Sequence, residues 1–118
     1  MGVRRVREND RGGALVTPAQ GDIWWAETEE RKRRPVLVVT RSHGVPVLRS
    51  ILVAPVTRRI RQVSTEILLD DELGLPEPCA ANFDNLQLMP RILLTDRVGA
   101  ITRPRREICR ALAALADC

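Results

Sequence analysis

Two positions join a reactive side chain to a stretch of backbone that the sequence itself makes rigid. Arg34 ends the cationic run Arg31-Lys32-Arg33-Arg34, directly before Pro35 and the apolar run Val36-Leu37-Val38-Val39. Thr57 closes Val53-Ala54-Pro55-Val56-Thr57. A guanidinium binds phosphate through a planar fork and offsets the charge that builds on phosphoryl oxygens; a hydroxyl donates to one of those oxygens. If the two strands are neighbours, the pair suits a phosphodiester. RNA brings its own nucleophile, the 2′-hydroxyl, so such a cleavage needs neither a metal nor a protein nucleophile. Proton transfer is the weak step, because arginine has a pKa above about 12. The single histidine, His43, stands in a loop stretch and cannot supply an acid–base pair. Each residue also has a plainer reading: Arg34 in a surface ion pair with Glu27 or Glu30, Thr57 as a strand-end hydrogen bonder.

The elements that must position them follow from local chemistry. β-Branched residues favour pleated, half-buried surfaces, so residues 36–39 read as a core strand. Pro35 lacks an amide donor and suits the first residue of that strand. The residue before a proline is pushed toward extended geometry, which sets Arg34 at the strand mouth. Residues 21–26 predict an earlier strand on which Trp24 and Trp25 alternate, one for the core and Trp25 for stacking on a base. Residues 40–47 carry turn chemistry, and strands follow at 48–56 and 64–69. Short strands at 79–83 and 86–89 flank Asp84-Asn85; a helical turn over 90–95 precedes a last strand at 97–101. Pro104 suits a first helical position, and Ile108, Ala111, Leu112 and Leu115 form a stripe that predicts a C-terminal amphipathic helix. Many short strands and one closing helix indicate a mainly β fold, a small and strongly bent sheet or barrel. Residues 1–20, polar and aperiodic, read as a flexible arm before a domain at 21–118.

At 118 residues, 44% hydrophobic and 29% charged, the chain is one domain with a real core, which excludes wholesale disorder. Its net charge of +4 conceals an asymmetry. Residues 31–61 hold nine cations and no acid, while residues 62–118 hold nine acids and six cations. Such a field favours a polyanion, nucleic acid or an acidic protein segment; a merely solvated basic face is the plainer reading. Cys79, Cys109 and Cys118 form no C-x-x-C pair, so neither a zinc site nor a disulfide framework is expected, and no cofactor. Thiols of this kind suit a reducing cytoplasm. The charged N-terminus lacks the apolar stretch of a signal peptide, and no apolar run approaches the roughly 18 residues of a membrane span.

Gly21-Asp22-Ile23-Trp24, then Arg33-Arg34-Pro35-Val36-Leu37-Val38-Val39-Thr40, then Val53-Ala54-Pro55-Val56-Thr57 resemble, in order and spacing, the MazF/PemK toxins of toxin–antitoxin modules. Those are sequence-specific, ribosome-independent endoribonucleases (mRNA interferases), and the resemblance runs from about Gly21 to the C-terminus. It implies a small SH3-like β-barrel with a C-terminal helix, a homodimer, and a cognate antitoxin whose acidic C-terminal segment occupies the RNA groove. It also implies metal-independent cleavage of single-stranded RNA, leaving a 2′,3′-cyclic phosphate and a 5′-hydroxyl. The family's active-site arginine precedes the strand-two proline, here Arg34, and its catalytic Thr/Ser closes the strand-three motif, here Thr57.

The chain departs from the family pattern in its fifth strand. An acidic residue, Gln, an aliphatic and a basic residue are often found there, against Asp84-Asn85-Leu86-Gln87 in this chain. Amides read base edges whereas cations hold phosphates, so Asn85 and Gln87 become candidates for base recognition. The 27–33 loop is also shorter than the Gly-containing loop of many members and covers less RNA. Lys32, Arg33, Arg41, Arg58, Arg59 and Arg61 flank the catalytic candidates and are expected to hold backbone phosphates. The alternative is a non-catalytic toxin or nucleic-acid-binding module on the same barrel. The gyrase-poisoning toxins of this fold end in an aromatic-containing tail, whereas this sequence ends Ala116-Asp117-Cys118.

Overall fold

The run at 36–39 lacks polar alternation because both of its faces are covered. The computed structural model describes residues 17–28, 32–70 and 73–116. In it, Leu37 and Val39 join one apolar cluster with Ile23, Ala54, Phe83 and Ile108. Val36 and Val38 join a second cluster with Trp24, Ile51, Val53 and Met89. Successive strand residues point to opposite faces, so a strand packed on both sides needs an apolar residue at every position.

The strands are β1 (Asp22–Glu27), β2 (Arg33–Val38), β3 (Ser50–Thr57), β4 (Glu66–Leu69), β5 (Cys79–Asn82), β6 (Gln87–Pro90) and β7 (Leu94–Ala100), and helix α1 (Pro104–Ala116) closes the chain. All the pairings are antiparallel, in the order β4-β5-β3-β2-β1-β7, with β6 added alongside β3. The sheet curls into a half-barrel, and α1 lays Ile108 and Ala111 on the first cluster. This is the mainly β fold with a C-terminal helix that the short strands predict.

One strand, β3, organises the rest by changing partner along its length. Its residues 50–53 pair with β6, whereas Val56 and Thr57 pair with Ala81 and Ala80 of β5. Toward β2 it pairs from Val38↔Val53 out to Val36↔Pro55. Two prolines stand where these ladders end. Val39 N–H donates to Leu52 C=O at 2.9 Å, and antiparallel alternation carries the next bonded pairs to Leu37/Ala54 and Pro35/Val56. Pro35 has no N–H to give there. Pro55 falls between the β6-paired and β5-paired halves of its strand, where no amide donor is required.

Several boundaries differ from expectation, each for a local reason. Pro35 is the third residue of β2 and not the first, since its donor-less nitrogen faces the side on which the ladder stops. The third strand begins two residues later than expected, at Ser50, and runs one residue further, to Thr57, because β5 extends it. Ser64 and Thr65 form a turn, so β4 begins at Glu66. The last strand begins earlier, at Leu94, which pairs with Ala26 of β1. Leu115, expected in the core stripe, is exposed, whereas Ile108, Ala111 and Leu112 of the same stripe pack on the first cluster.

Gly21-Asp22-Ile23-Trp24 is a structural latch. Gly21 adopts φ +87°, and a Cβ there would run into the Pro104 ring. The buried Asp22 carboxylate accepts from the Ala19 N–H at 2.9 Å and from Trp24 Nε1 at 3.2 Å, and it pairs with Arg97 at 3.3 Å. Gln20 in turn donates to Ser42 Oγ and to the Val39 carbonyl, so the chain is tied to the sheet from residue 19. Of the expected N-terminal arm, residues 1–16 lie outside the described residues. Among the described residues no helix is long and apolar enough to cross a membrane.

Candidate active site

Beyond Val36 and Pro55 the β2–β3 ladder stops, and a groove of about 1000 Å³ opens between the strand ends. Among the described residues its lining brings together Arg33, Arg34, Arg58, Arg59 and Arg61 with one acid, Glu77. Arg34 and Thr57 each lie two residues outward from the Val36↔Pro55 pair, so continuing the register sets them across from each other. Both line the groove. Thr57 Oγ1 accepts a hydrogen bond from the Arg59 N–H at 3.1 Å. That bond fixes the oxygen and leaves the hydroxyl proton free to be donated outward. Arg34 is exposed, and its side chain makes no hydrogen bond or ion pair to any described residue, Glu27 included. Glu30, the other expected ion-pair partner, and the middle of the 27–33 loop lie outside the described residues.

The remaining cations divide by what already holds them. Arg59 has no ionic partner among the described residues. Arg58 stands 3.5 Å from Glu77 with both side chains at least half exposed, an arrangement worth about 0–1 kcal/mol. Arg33 lies over the Trp25 ring, 5.2 Å from its centroid, and pairs with Asp96 of β7. Trp24 is buried and Trp25 half-buried on the groove, as alternation along β1 predicts. One face of Trp25 is therefore already covered by a cation.

Arg61, expected on a phosphate, is turned inward. It donates to Glu66 Oε2 at 3.2 Å, to Asp84 Oδ2 at 3.1 Å and to Asn82 Oδ1 at 3.2 Å. The hydrogen bonds to Glu66 and then Asp84 push its pKa further up, so its charge is permanent and internally balanced. Glu66, which is buried, also accepts the backbone N–H groups of Arg61 and Gln62, each at 3.0 Å. This knot holds the segment after Thr57 against β4 and β5.

Eight of the eleven candidate site residues line the groove: Trp25, Arg33, Arg34, Thr57, Arg58, Arg59, Arg61 and Asn85. Lys32 stands just before β2, Arg41 leads into a short 3₁₀ turn (Ser42–Val47) beyond the far end of β2, and Gln87 opens β6 opposite Val53. None of these three is part of the lining. Cys79 and Asn82 also line the groove, outside the set of site candidates. Cys79 donates its thiol to the Glu77 carbonyl at 3.2 Å, and burial, then the Glu77 charge, pushes its pKa up. Asn82 caps a 3₁₀ turn (Phe83–Asn85) by accepting the Asp84 N–H at 2.9 Å. Its signal in the sequence is an Asn placed two residues before an Asp, a cap pattern. Among the described residues no cluster of three His, Cys, Asp or Glu is placed to hold a metal.

A family model described as "PemK-like, MazF-like toxin of type II toxin-antitoxin system" matches residues 19–116. Probable endoribonuclease MazF5 of Mycobacterium tuberculosis is 39% identical over 103 residues, spanning 86% of this chain and 94% of the relative. Probable endoribonuclease MazF2 of the same species is 33% identical over 101 residues, spanning 84% and 98%. The solved Mycobacterium tuberculosis toxin MazF-mt6 matches with a TM-score of 0.73 at 31% identity, over 81% of this chain and 96% of that one. A mycobacterial endoribonuclease solved in complex with its cognate antitoxin shares the fold, with a TM-score of 0.69 at 22% identity over 83% and 94%. With nearly the whole described chain covered by that family model, the protein belongs to the PemK-like, MazF-like toxins of type II toxin–antitoxin systems.

Proposed function

We propose that the protein is a sequence-specific endoribonuclease that cuts single-stranded RNA between Arg34 and Thr57. The observation that carries this reading is a guanidinium with no partner among the described residues and an outward-free hydroxyl in one cationic groove. Family membership and two relatives named probable endoribonucleases support the activity. A related toxin solved with its cognate antitoxin supports a protein partner that neutralises it.

In this reading the RNA backbone lies along the groove, with Arg58 and Arg59 on phosphates beside the scissile one and Lys32 and Arg33 extending the track. The 2′-hydroxyl oxygen bonds to the adjacent phosphorus and gives up its proton. The bond from phosphorus to O5′ breaks, and that oxygen takes up a proton. The products are a 2′,3′-cyclic phosphate and a 5′-hydroxyl. Arg34 binds the non-bridging oxygens and offsets the charge that develops on them, and the Thr57 hydroxyl donates to one of the same oxygens. The attacking group belongs to the substrate, so the step as written requires no metal. Trp25 and Asn85 contact bases, whereas Arg41 and Gln87 meet only RNA that runs past the groove. An acidic antitoxin segment competes for the same arginines. The protein works in the cytoplasm as a homodimer.

Mapping cut ends on a long synthetic RNA in chelating buffer tests this directly. The wild type should give cyclic-phosphate and 5′-hydroxyl ends at a recurrent sequence. Arg34→Ala should slow cutting by about 10²–10³ while retaining part of the binding through Arg58 and Arg59. Wild-type protein that binds RNA yet never cuts it supports the non-catalytic module instead.

A further inference from the structure

We propose that Asn82 selects the base beside the scissile linkage, favouring one that presents a carbonyl (uracil or guanine) over one with an amino group at the same place (cytosine or adenine). The inference rests on the endoribonuclease reading above and names a determinant of its specificity.

An Asn side chain offers an acceptor and a two-proton donor, and which way it points must be read from its partners. Here the partners leave no choice. Asn82 Oδ1 receives Arg61 Nη2 at 3.2 Å and the Asp84 N–H at 2.9 Å, and both of these groups can only donate. The oxygen is thereby saturated, and Nδ2 has no partner among the described residues. Asn82 is half-buried and lines the groove with Arg34 and Thr57. On β5 it stands two residues beyond Ala80, the partner of Thr57, and on the same face of that strand.

The outcome is a donor whose direction is set before any ligand arrives. Asn85 provides the contrast: it lines the same groove with no hydrogen bond to a described residue, so its amide is free to turn either way. Single-stranded RNA is read through the edges of its unstacked bases. A fixed N–H pair pairs with O4 of uracil or O6 of guanine and is left unmatched by N4 of cytosine or N6 of adenine. An unmatched buried donor costs more than a matched one gains, which is the basis for rejecting the wrong base.

Asn82→Asp separates this role from a structural one. The aspartate keeps an oxygen for Arg61 and for the Asp84 amide, and it turns the groove-facing donor into an acceptor. Cut sites of the wild type and the variant would be sequenced from a randomised RNA pool, with thermal melts alongside. The wild type should favour uracil or guanine at one position next to the cut by about tenfold. The variant should shift that single position toward cytosine or adenine and leave the others unchanged. A variant that melts like wild type, cuts more slowly and keeps the base preference at every position overturns the inference and leaves the nuclease standing. If the aspartate unfolds the chain, Asn82→Ala must flatten the preference at that position alone, and unchanged preference in it overturns the inference too. A wild type that cuts nothing in the pool overturns the nuclease reading, and this inference with it.

Discussion

Arg34 and Thr57 stand two residues outward from Val36 and Pro55, the last pair of the β2–β3 ladder, and line one groove. The Arg59 amide holds the Thr57 oxygen at 3.1 Å and leaves only its proton to give. Thr57→Ser keeps that donor and should cut RNA within about threefold of wild type. Thr57→Val removes it and should lower kcat by about 10²–10³ with KM little changed, as loss of a transition-state donor does. Steady-state kinetics on a short RNA check both variants. Equal losses in Ser and Val would mean that shape, and not the hydroxyl, matters.

Arg58 and Arg59 flank the proposed reaction centre without a strong partner among the described residues. Each should neutralise about one phosphate. Replacing either with Ala should therefore shrink the slope of log affinity against log salt by about 0.7. The single-turnover rate at saturating enzyme should stay near wild type. A salt titration of RNA binding reads this out, and an unchanged slope would remove that arginine from the RNA track.

Glu66 is buried and accepts three donors, the Arg61 and Gln62 amides and Arg61 Nε. Gln62 adopts φ +57°, a left-handed geometry that this carboxylate holds in place. Glu66→Gln presents an amide where donors point, so it should cost about 1–3 kcal/mol. In a domain of this size each kcal/mol lowers Tm by about 4–8 °C. Urea and thermal melts measure it.

Cys79 gives the protein an alkaline limit. Burial, then the Glu77 charge, raises its pKa, with Arg58 partly offsetting them. A thiol raised in the folded state contributes stability that is complete below the ordinary thiol value, about 8.5. That contribution is lost as pH rises through the folded-state value, because the unfolded chain ionises first. Melts between pH 7 and pH 10 should show a falling Tm whose slope is shallower in Cys79→Ser. At pH 7.5 a thiol reagent should modify the exposed Cys109 well before Cys79.

The legible part of the fold is the part written in local chemistry. The run at 36–39, the alternation of Trp24 and Trp25, the Pro104 start and the Ile108–Ala111 stripe each specify their element within a few residues. That Arg34 and Thr57 stand near strand ends is legible from their places beside Pro35 and Pro55. What no local signal carries is the change of partner in β3, since residues 50–57 look like one uniform strand and the switch depends on β5 and β6 far along the chain. The fate of the arginines was hidden for the same reason. Arg33 is taken up by Asp96, 63 residues away, and Arg61 by Glu66, Asn82 and Asp84, so a count of charges overstates the cations free for RNA. Leu115 fits the helical stripe yet stays exposed, because nothing in the sheet reaches the last turn.

A double-mutant cycle on the single-turnover cleavage rate measures whether one guanidinium and one hydroxyl act on the same phosphate. Groups that act as a unit are not additive. Arg34→Ala with Thr57→Val should therefore cut little more slowly than Arg34→Ala alone. Losses that multiply would contradict a shared phosphate and place the two residues in separate tasks.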